Sequence, residues 1–195
     1  MVITMGNHFF AYISRMRCVK RWALMRNTEE ENISEHSHMV AVLAHALAVI
    51  RNRVYGGSVD ADRVAVVARY HDATEILTGD MPTPIKYYNP EIKESYRKVE
   101  RVAEEKLLTM LPEDIRADYV PLLQNTDESV RVLVKAADKL SAYIKCVEEL
   151  KAGNMEFKKA AEQTRAALDA MKLPELEYFL ANCMDSFAKT LDELD

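Results

Sequence analysis

Apolar residues recur at helical spacing along almost the whole chain, and no segment alternates apolar and polar residues as a half-buried strand does. The 195 residues include only five glycines and six prolines, so turns are few and the elements between them should be long. A chain of this length can bury about 70% of its unfolded surface. The sequence therefore predicts an all-α fold in a single domain, residues 1–195.

Helix boundaries follow from capping residues and from glycine and proline. Ser34, Asp60 and Asn89 are expected to begin three helices, and Pro90 suits the first helical position after Asn89. The stretch TGDMPTP, residues 78–84, predicts a rigid loop. The predicted helices cover about residues 7–20, 34–53, 60–78, 90–111, a short segment after Pro112, 128–152, 155–172 and 175–192. In the first helix the residues expected to face inward are Phe9, Phe10, Ile13 and Met16.

Charge and hydropathy argue against two classes of partner. The 26 basic and 31 acidic residues give a net charge of -5 without a basic block, which argues against nucleic acid polymers but allows a small anionic ligand. No run approaches the roughly 20 apolar residues that cross a bilayer, and the N-terminal segment lacks a signal-peptide pattern. We therefore expect a cytoplasmic protein with no membrane partner. The isolated Cys18, Cys146 and Cys183 are expected to be buried free thiols.

The helix predicted at residues 34–53 carries histidines on two faces. His36 shares the apolar face with Leu43, whereas His38 and His45 lie roughly opposite and are expected at the surface or facing a partner. A histidine on an apolar face is more often a hydrogen-bonded core residue than a ligand. Taken alone, His36 leaves both interpretations open.

His71 and Asp72 stand side by side in the stretch RYHDATEILTGDMP, residues 69–82. His71 continues the face of the apolar residues before it, Asp72 is rotated from it by about 100°, and Glu75 lies one turn further on. These side chains can therefore converge on one ion. The alternative is a polar helix end whose groups cap the following loop.

Asp138 lies at the edge of an apolar helical stripe. A carboxylate there is costly to desolvate unless a cation or strong donors compensate. The alternatives to a metal ligand are a solvent-facing residue or a salt bridge to Lys135 or Lys139. Taken together, two imidazoles and two carboxylates from three helices suit a divalent transition metal ion bound between helices.

The order of His36, His71-Asp72 and Asp138 resembles the H…HD…D pattern of HD-domain metal-dependent phosphohydrolases, which are all-helical. Longer stretches, HFFAYISRMRCVKRWALMRN, ENISEHS, YHDATEILTGDMPTPIKYYN and LVKAADKLSAYIKCVEEL, resemble bacterial 5′-deoxynucleotidases of the YfbR type. The similarity spans nearly the whole chain and weakens around residues 113–130 and in the last helices. It implies a homodimeric enzyme that hydrolyses 2′-deoxyribonucleoside 5′-monophosphates to deoxynucleosides and phosphate.

The resemblance also implies a role for each site residue. Glu75 would activate the attacking water, Arg21 would orient the phosphate, and Trp22 would crowd the 2′ position of the sugar. The implied ion is one divalent transition metal per chain, with Co²⁺ as the first choice in vitro and Mn²⁺, Zn²⁺, Fe²⁺ or Ni²⁺ as alternatives. The implied metal ligands, of which the two carboxylates also face the substrate, are His36, His71, Asp72 and Asp138. The residues implied to hold the sugar are Asp80, which would contact the 3′-hydroxyl, Met81, Pro82 and Thr83.

Other interpretations stay open where only the residues are considered. Arg21 then is a solvated charge, Trp22 a core or interface aromatic, and Asp80 a turn residue. Two other functions are also compatible with the site: an HD phosphohydrolase for another nucleotide phosphoester, and a helical protein whose metal site has no turnover. Glu75, which is not needed as a ligand, argues against the second.

Overall fold

The computed structural model describes residues 6–82, 85 and 88–194, and these residues are predominantly helical, as predicted. Their α-helices are α1 (Phe9–Ile13), α2 (Ile33–Tyr55), α3 (Ala61–Arg69), α4 (Glu75–Thr78), α5 (Pro90–Thr109), α6 (Glu113–Leu123), α7 (Glu128–Lys151), α8 (Lys158–Asp169) and α9 (Pro174–Asn182). In this described part, β pairing is confined to an isolated antiparallel bridge between Lys20 and Asn32.

Helix α2 is the central element and packs against α3, α7 and α9. It is capped by Asn32 rather than by Ser34. The Asn32 side chain accepts hydrogen bonds from the backbone N–H groups of Ser34 and Glu35, and the Glu35 side chain bonds back to the Asn32 N–H. The helix ends at Tyr55, two residues later than predicted, where Gly56 adopts the left-handed φ of 70°.

The apolar character of α2 exceeds what the sequence analysis led us to expect. By length and by its mean hydropathy of 1.3 over 18 residues, it meets the criterion for a membrane span. Of that window, 44% is buried inside the protein, where α2 packs against α3, α7 and α9. The outward face carries His38, which is exposed, and His45, which is partly exposed, as predicted.

The N-terminal segment differs from the single helix predicted over residues 7–20. Helix α1 has five residues and continues as a 3-10 helix, Ser14–Cys18. Phe9 and Met16 are buried as expected, but Phe10 is 53% exposed, so its predicted inward orientation was wrong. Phe9 and Phe10 are neighbours in α1, so their side chains are rotated from each other by about 100°, and Phe9 is the one that is buried.

The helix predicted at residues 60–78 is interrupted. Asp60 caps α3 as predicted, but a turn over residues 70–74 separates α3 from α4. At the start of this turn the N–H of His71 donates to the carbonyl of Ala68, three residues earlier instead of four. His71 and Asp72 therefore lie in a turn between two helices rather than on a helical face.

The later helices begin near their predicted residues. Asn89 caps α5 by accepting a hydrogen bond from the N–H of Ile92, and Asp127 caps α7. The last two predicted helices are shorter than expected. Met155–Phe157 forms a 3-10 helix before α8, and Met184–Ala188 forms another after α9.

The three cysteines occupy different environments. Cys146 is buried and Cys183 is partly buried, whereas Cys18 is exposed, so the expectation of a buried thiol was wrong for Cys18. Burial raises the pKa of the Cys146 thiol to about 12, which keeps it protonated and unreactive at neutral pH.

Candidate active site

Four side chains from three parts of the chain converge near the N-terminal end of α2. His36 comes from α2, His71 and Asp72 from the turn after α3, and Asp138 from α7. His36 Nε2 lies 3.1 Å from Asp138 Oδ1 and 3.6 Å from Asp72 Oδ2. His71 Nε2 lies 3.1 Å from Asp72 Oδ2 and 3.9 Å from Asp138 Oδ1. The structure thus brings together all four residues that the sequence singled out as metal ligands.

Both imidazoles are held with Nε2 directed at this cluster. His36 is fully buried, and its Nδ1 lies 3.1 Å from the hydroxyl oxygen of Ser141. His71 Nδ1 lies 2.7 Å from the backbone carbonyl oxygen of Ala68, to which it can only donate. When Nδ1 carries the proton in both rings, Nε2 is the atom available to a cation.

The donor set fits a divalent transition metal ion. Donor atoms of His36, His71 and Asp138 lie within 4.8 Å of one another. Among the described residues, His71 Nε2 is a buried ring nitrogen with no hydrogen bond of acceptable geometry, although Asp72 Oδ2 is close to it. A buried nitrogen facing two carboxylates suits a cation, and mixed imidazole and carboxylate ligands suit first-row transition ions.

The clustered groups shift one another's pKa values. Burial by itself would lower the pKa of His71, but the carboxylates of Asp72 and Asp138 outweigh burial and raise it to about 9. Burial would raise the pKa of Asp138, but the hydrogen bond and charge of His36 lower it to about 2. Burial likewise opposes ionisation of Asp72, yet His71, His36 and Arg21 hold its pKa far below the ordinary value. Both carboxylates are therefore anionic at neutral pH, which favours a bound cation.

Arg21 and Trp22 lie beside this cluster, in the segment before α2. Arg21 donates through Nε to Glu31 Oε2 at 3.0 Å, and its Nη1 lies 3.5 Å from Asp72 Oδ2. The Trp22 indole N–H donates to the same Glu31 oxygen at 3.0 Å, and the ring packs against Phe157 with centroids 5.3 Å apart. The Arg21 side chain is only 12% exposed, so it is not a solvated charge.

Charge links Arg21 to the loop that follows α4. Burial would lower the pKa of Arg21, but the carboxylates of Asp72, Asp138, Glu31 and Asp80 together raise it. Asp80 therefore lies close enough to the Arg21 guanidinium for its charge to act on it, although the two residues are 59 positions apart in the sequence. An anion that replaced one of these carboxylates beside Arg21 would meet a permanently charged guanidinium.

The remaining predicted site residues lie on α4 and just after it. Glu75 is the first residue of α4 and is 5% exposed. Asp80, Met81 and Pro82 are partly buried in the non-helical segment that follows α4. Thr83 lies outside the described residues.

A buried carboxylate on α7, Glu149, holds the segment before α2 in place. Its side chain accepts hydrogen bonds from the N–H of Thr28 at 2.9 Å, the Thr28 hydroxyl at 2.7 Å and the N–H of Glu29 at 3.3 Å. The Asn154 amide donates to it at 2.8 Å, and Lys145 Nζ lies 2.5 Å away. Lys145 also donates to the Glu29 carbonyl at 2.6 Å.

Glu31, Ser141 and Glu149 were missed by the sequence analysis. Glu31 ends the acidic run EEE, which is typical of a solvated turn, so no sequence signal marks it. Ser141 follows Asp138 by three residues, and this helical spacing could have revealed its position near His36. Glu149 follows a lysine by four residues on the same helix, which could have predicted a pair but not its burial.

Comparison with known proteins gives consistent matches. A family model described as 5′-deoxynucleotidase YfbR-like matches residues 8–187. The 5′-deoxynucleotidase of Vibrio vulnificus strain YJ016 is 52% identical over 190 residues, which cover 96% of this chain and 98% of that protein. An HD-domain phosphohydrolase from Listeria innocua aligns with a TM-score of 0.76 and 21% identity over 94% of this chain and 90% of its own. The cyanophage S-2L HD phosphohydrolase, solved with dA and one catalytic Zn²⁺ ion, aligns with a TM-score of 0.59 and 23% identity over 90% and 96%.

Proposed function

The chain belongs to the family of YfbR-like 5′-deoxynucleotidases, and from that premise we propose how its residues divide the hydrolysis of 2′-deoxyribonucleoside 5′-monophosphates between them. It is a phosphoric monoester hydrolase that releases a deoxynucleoside and phosphate. The observation that carries the assignment of residues is the convergence of the two imidazoles and two carboxylates beside Arg21, whose Nη1 lies 3.5 Å from Asp72 Oδ2.

Arg21 would hold the phosphate of the substrate. A guanidinium offers a planar fork to two phosphate oxygens, which the point charge of a lysine does not. Because Arg21 lies next to Asp72, a phosphate bound by Arg21 would lie against the donor cluster formed by His36, His71, Asp72 and Asp138. Asp72 and Asp138 would therefore face the substrate as well as the ion.

We assign the divalent ion to His36, His71, Asp72 and Asp138. Such an ion, when bound, lowers the pKa of water towards about 7 and neutralises charge on a phosphate oxygen. Glu75, buried directly after the turn that holds two of the ligands, would accept the proton of the attacking water. We expect Co²⁺ to support the highest activity in vitro. The same donors also accommodate Mn²⁺, Zn²⁺, Fe²⁺ and Ni²⁺.

Selection of the deoxy sugar would fall to residues on either side of Arg21. Trp22 would fill the space beside the 2′ carbon, because a wall rejects an added hydroxyl by overlap or by leaving it without a partner. The charge of Asp80 acts on Arg21, which supports a location of Asp80 near the bound nucleotide. We propose that Asp80 contacts the 3′-hydroxyl there. The residues proposed to complete the sugar site are Met81, Pro82 and Thr83.

The oligomeric state and the cellular location are proposed from membership of the family. We expect residues 1–195 to act as one domain, as a homodimer, and in the cytoplasm. Size-exclusion chromatography with light scattering tests the dimer. A monomeric mass at micromolar concentration would contradict it.

Phosphate release from matched deoxy and ribo monophosphates tests the function. With Co²⁺ or Mn²⁺ present, we expect turnover of the four deoxynucleotides and little release from their ribonucleotide counterparts. A chelator should abolish turnover, and added metal should restore it. Equal rates for dAMP and AMP would contradict the substrate assignment, and chelator-resistant turnover would contradict the role of the ion.

The role of Trp22 is tested separately. Trp22→Ala should keep the fold and hydrolyse AMP faster relative to dAMP, because the ring that excludes the 2′-hydroxyl is gone. A variant that discriminated as well as the original protein would show that Trp22 does not select the sugar.

A further inference from the structure

Arg21 and Trp22, to which the proposed function gives different tasks, share one anchor. Glu31 Oε2 accepts a hydrogen bond from Arg21 Nε at 3.0 Å and another from Trp22 Nε1 at 3.0 Å. The other carboxylate oxygen, Oε1, lies 4.0 Å from His36 Nδ1, which is too far for a hydrogen bond. One carboxylate oxygen therefore fixes both the guanidinium and the indole.

The backbone of Glu31 is itself paired with the segment that carries Arg21. The N–H of Arg21 donates to the carbonyl of Glu31 at 2.9 Å, and the N–H of Ile33 donates to the carbonyl of Val19 at 3.0 Å. These two bonds join the segment before the intervening loop, at Val19 and Arg21, to the segment after it, at Glu31 and Ile33. The backbone pairing therefore holds the Glu31 side chain close to the side chains of Arg21 and Trp22.

Trp22 adopts an uncommon backbone conformation. Its φ is 55°, in the left-handed region that residues other than glycine seldom occupy. Such a conformation persists where the surroundings determine it more strongly than the local preference. Here the surroundings are the ring contact with Phe157 and the bond from the indole to Glu31.

We propose that Glu31 is a positioning residue whose single carboxylate sets the guanidinium of Arg21 and the indole of Trp22 relative to each other. Phosphate orientation and exclusion of the 2′-hydroxyl then depend on the same side chain. A contact chain runs from the indole through Glu31 and Arg21 to Asp72 at the donor cluster. The consequence for catalysis rests on the proposed roles of Arg21 and Trp22, whereas the positioning itself does not.

The test compares Glu31→Ala, Glu31→Gln and a matched control, Glu30→Gln. The Glu30 carboxylate is exposed and pairs with Lys20 at 2.6 Å, so its replacement removes the same charge one residue away. Two quantities are measured on the metal-loaded protein: the ratio of kcat/KM for dAMP over AMP, and the fluorescence of Trp22. Trp22 is the sole tryptophan of the chain, so its emission reports this position directly and needs no turnover.

In Glu31→Ala we expect both the kcat/KM for dAMP and the dAMP/AMP ratio to fall about tenfold, the scale of one lost charge-assisted hydrogen bond. The emission of Trp22 should shift and become more accessible to acrylamide. Glu31→Gln keeps a carbonyl oxygen that can accept both bonds, so it should recover part of the ratio and of the emission. Glu30→Gln should leave the kcat/KM for dAMP, the dAMP/AMP ratio and the emission of Trp22 unchanged.

The outcomes separate this inference from the proposed function. If Glu31→Ala keeps the ratio and the emission of Trp22 while Trp22→Ala loses the ratio, Glu31 does not position the ring, although Trp22 selects the sugar. If Trp22→Ala keeps the ratio, the proposed role of Trp22 fails, and the fluorescence of Glu31→Ala alone then decides whether Glu31 holds the ring. If Glu30→Gln and Glu31→Gln changed the dAMP/AMP ratio and the emission of Trp22 equally, the loss of one negative charge would explain both changes, and the inference would be wrong.

Discussion

Replacing Glu149 by glutamine should destabilise the protein by loosening the segment that leads into α2. The buried carboxylate accepts hydrogen bonds from Thr28, Glu29 and Asn154 and pairs with Lys145. An amide of the same shape presents one acceptor oxygen and one donor group, so some of these donors would lose their partner. Lys145, also buried, would lose its counter-charge.

The magnitude follows from the ionisation of Glu149. Burial opposes its ionisation, but the hydrogen bonds from Lys145, Thr28 and Asn154 outweigh burial and lower its pKa from 4.5 to about 2. This difference corresponds to a stabilisation of about 3 kcal/mol. Because the pKa is depressed in the folded state, the stabilisation is fully present above pH 4.5 and is lost as the pH falls through 2. Leaving one partner of a buried pair uncompensated costs a similar amount, about 3–5 kcal/mol.

Urea unfolding followed by circular dichroism measures the effect. At pH 7 we expect Glu149→Gln to lower the free energy of unfolding by about 3 kcal/mol, and at pH 3 by less than half of that. Glu148→Gln, which changes the exposed neighbouring carboxylate, is the control and should have little effect. Adding Lys145→Met to Glu149→Gln should recover part of the loss, because it removes the unpaired buried charge. A loss below about 1 kcal/mol at pH 7, or one independent of pH, would refute the reasoning.

Three further predictions concern the donor cluster. Ser141→Ala should weaken Co²⁺ binding about 10- to 100-fold in calorimetry, because the hydroxyl orients His36; unchanged affinity would show that it does not. Glu75→Gln should fold and bind metal but lose at least about 100-fold in kcat for dAMP, and turnover at the original rate would remove Glu75 from the mechanism. Because Asp72 raises the pKa of His71 to about 9, metal binding at pH 7 should release about one proton, and affinity should rise about tenfold per pH unit between pH 6 and 8. An affinity independent of pH in that range would contradict this displacement.

Helix boundaries were predictable where a specific residue type determines the backbone. The pair Asn89-Pro90 begins α5, and Gly56 ends α2, because side-chain capping and a left-handed φ each require a small set of residues. The interruption between α3 and α4 could not be predicted in this way. Neither glycine nor proline occurs in residues 70–74, and the apolar pattern continues across the break.

The four clustered side chains were predictable from type and order, but their surroundings were not. The burial of His36 follows from its place on the apolar face of a core helix. In contrast, the partners of Arg21 depend on how the loop before α2 folds back, which periodicity does not describe. Glu31 therefore could not be distinguished in the sequence from its solvated neighbour Glu30, although the structure gives the two residues different partners.

The bond between His36 and Asp138 joins positions 102 residues apart. A growing chain has His36 and His71 long before Asp138 is synthesised, so the proposed set of ligands would be complete only after α7 has been made and has docked on α2. An ion bound by this set would link the two halves of the polypeptide. At a free concentration 100 times its dissociation constant it would add about 2.7 kcal/mol to the stability of the entire fold. Metal depletion should therefore leave the protein more open to proteases as a whole, well beyond the residues that touch the ion.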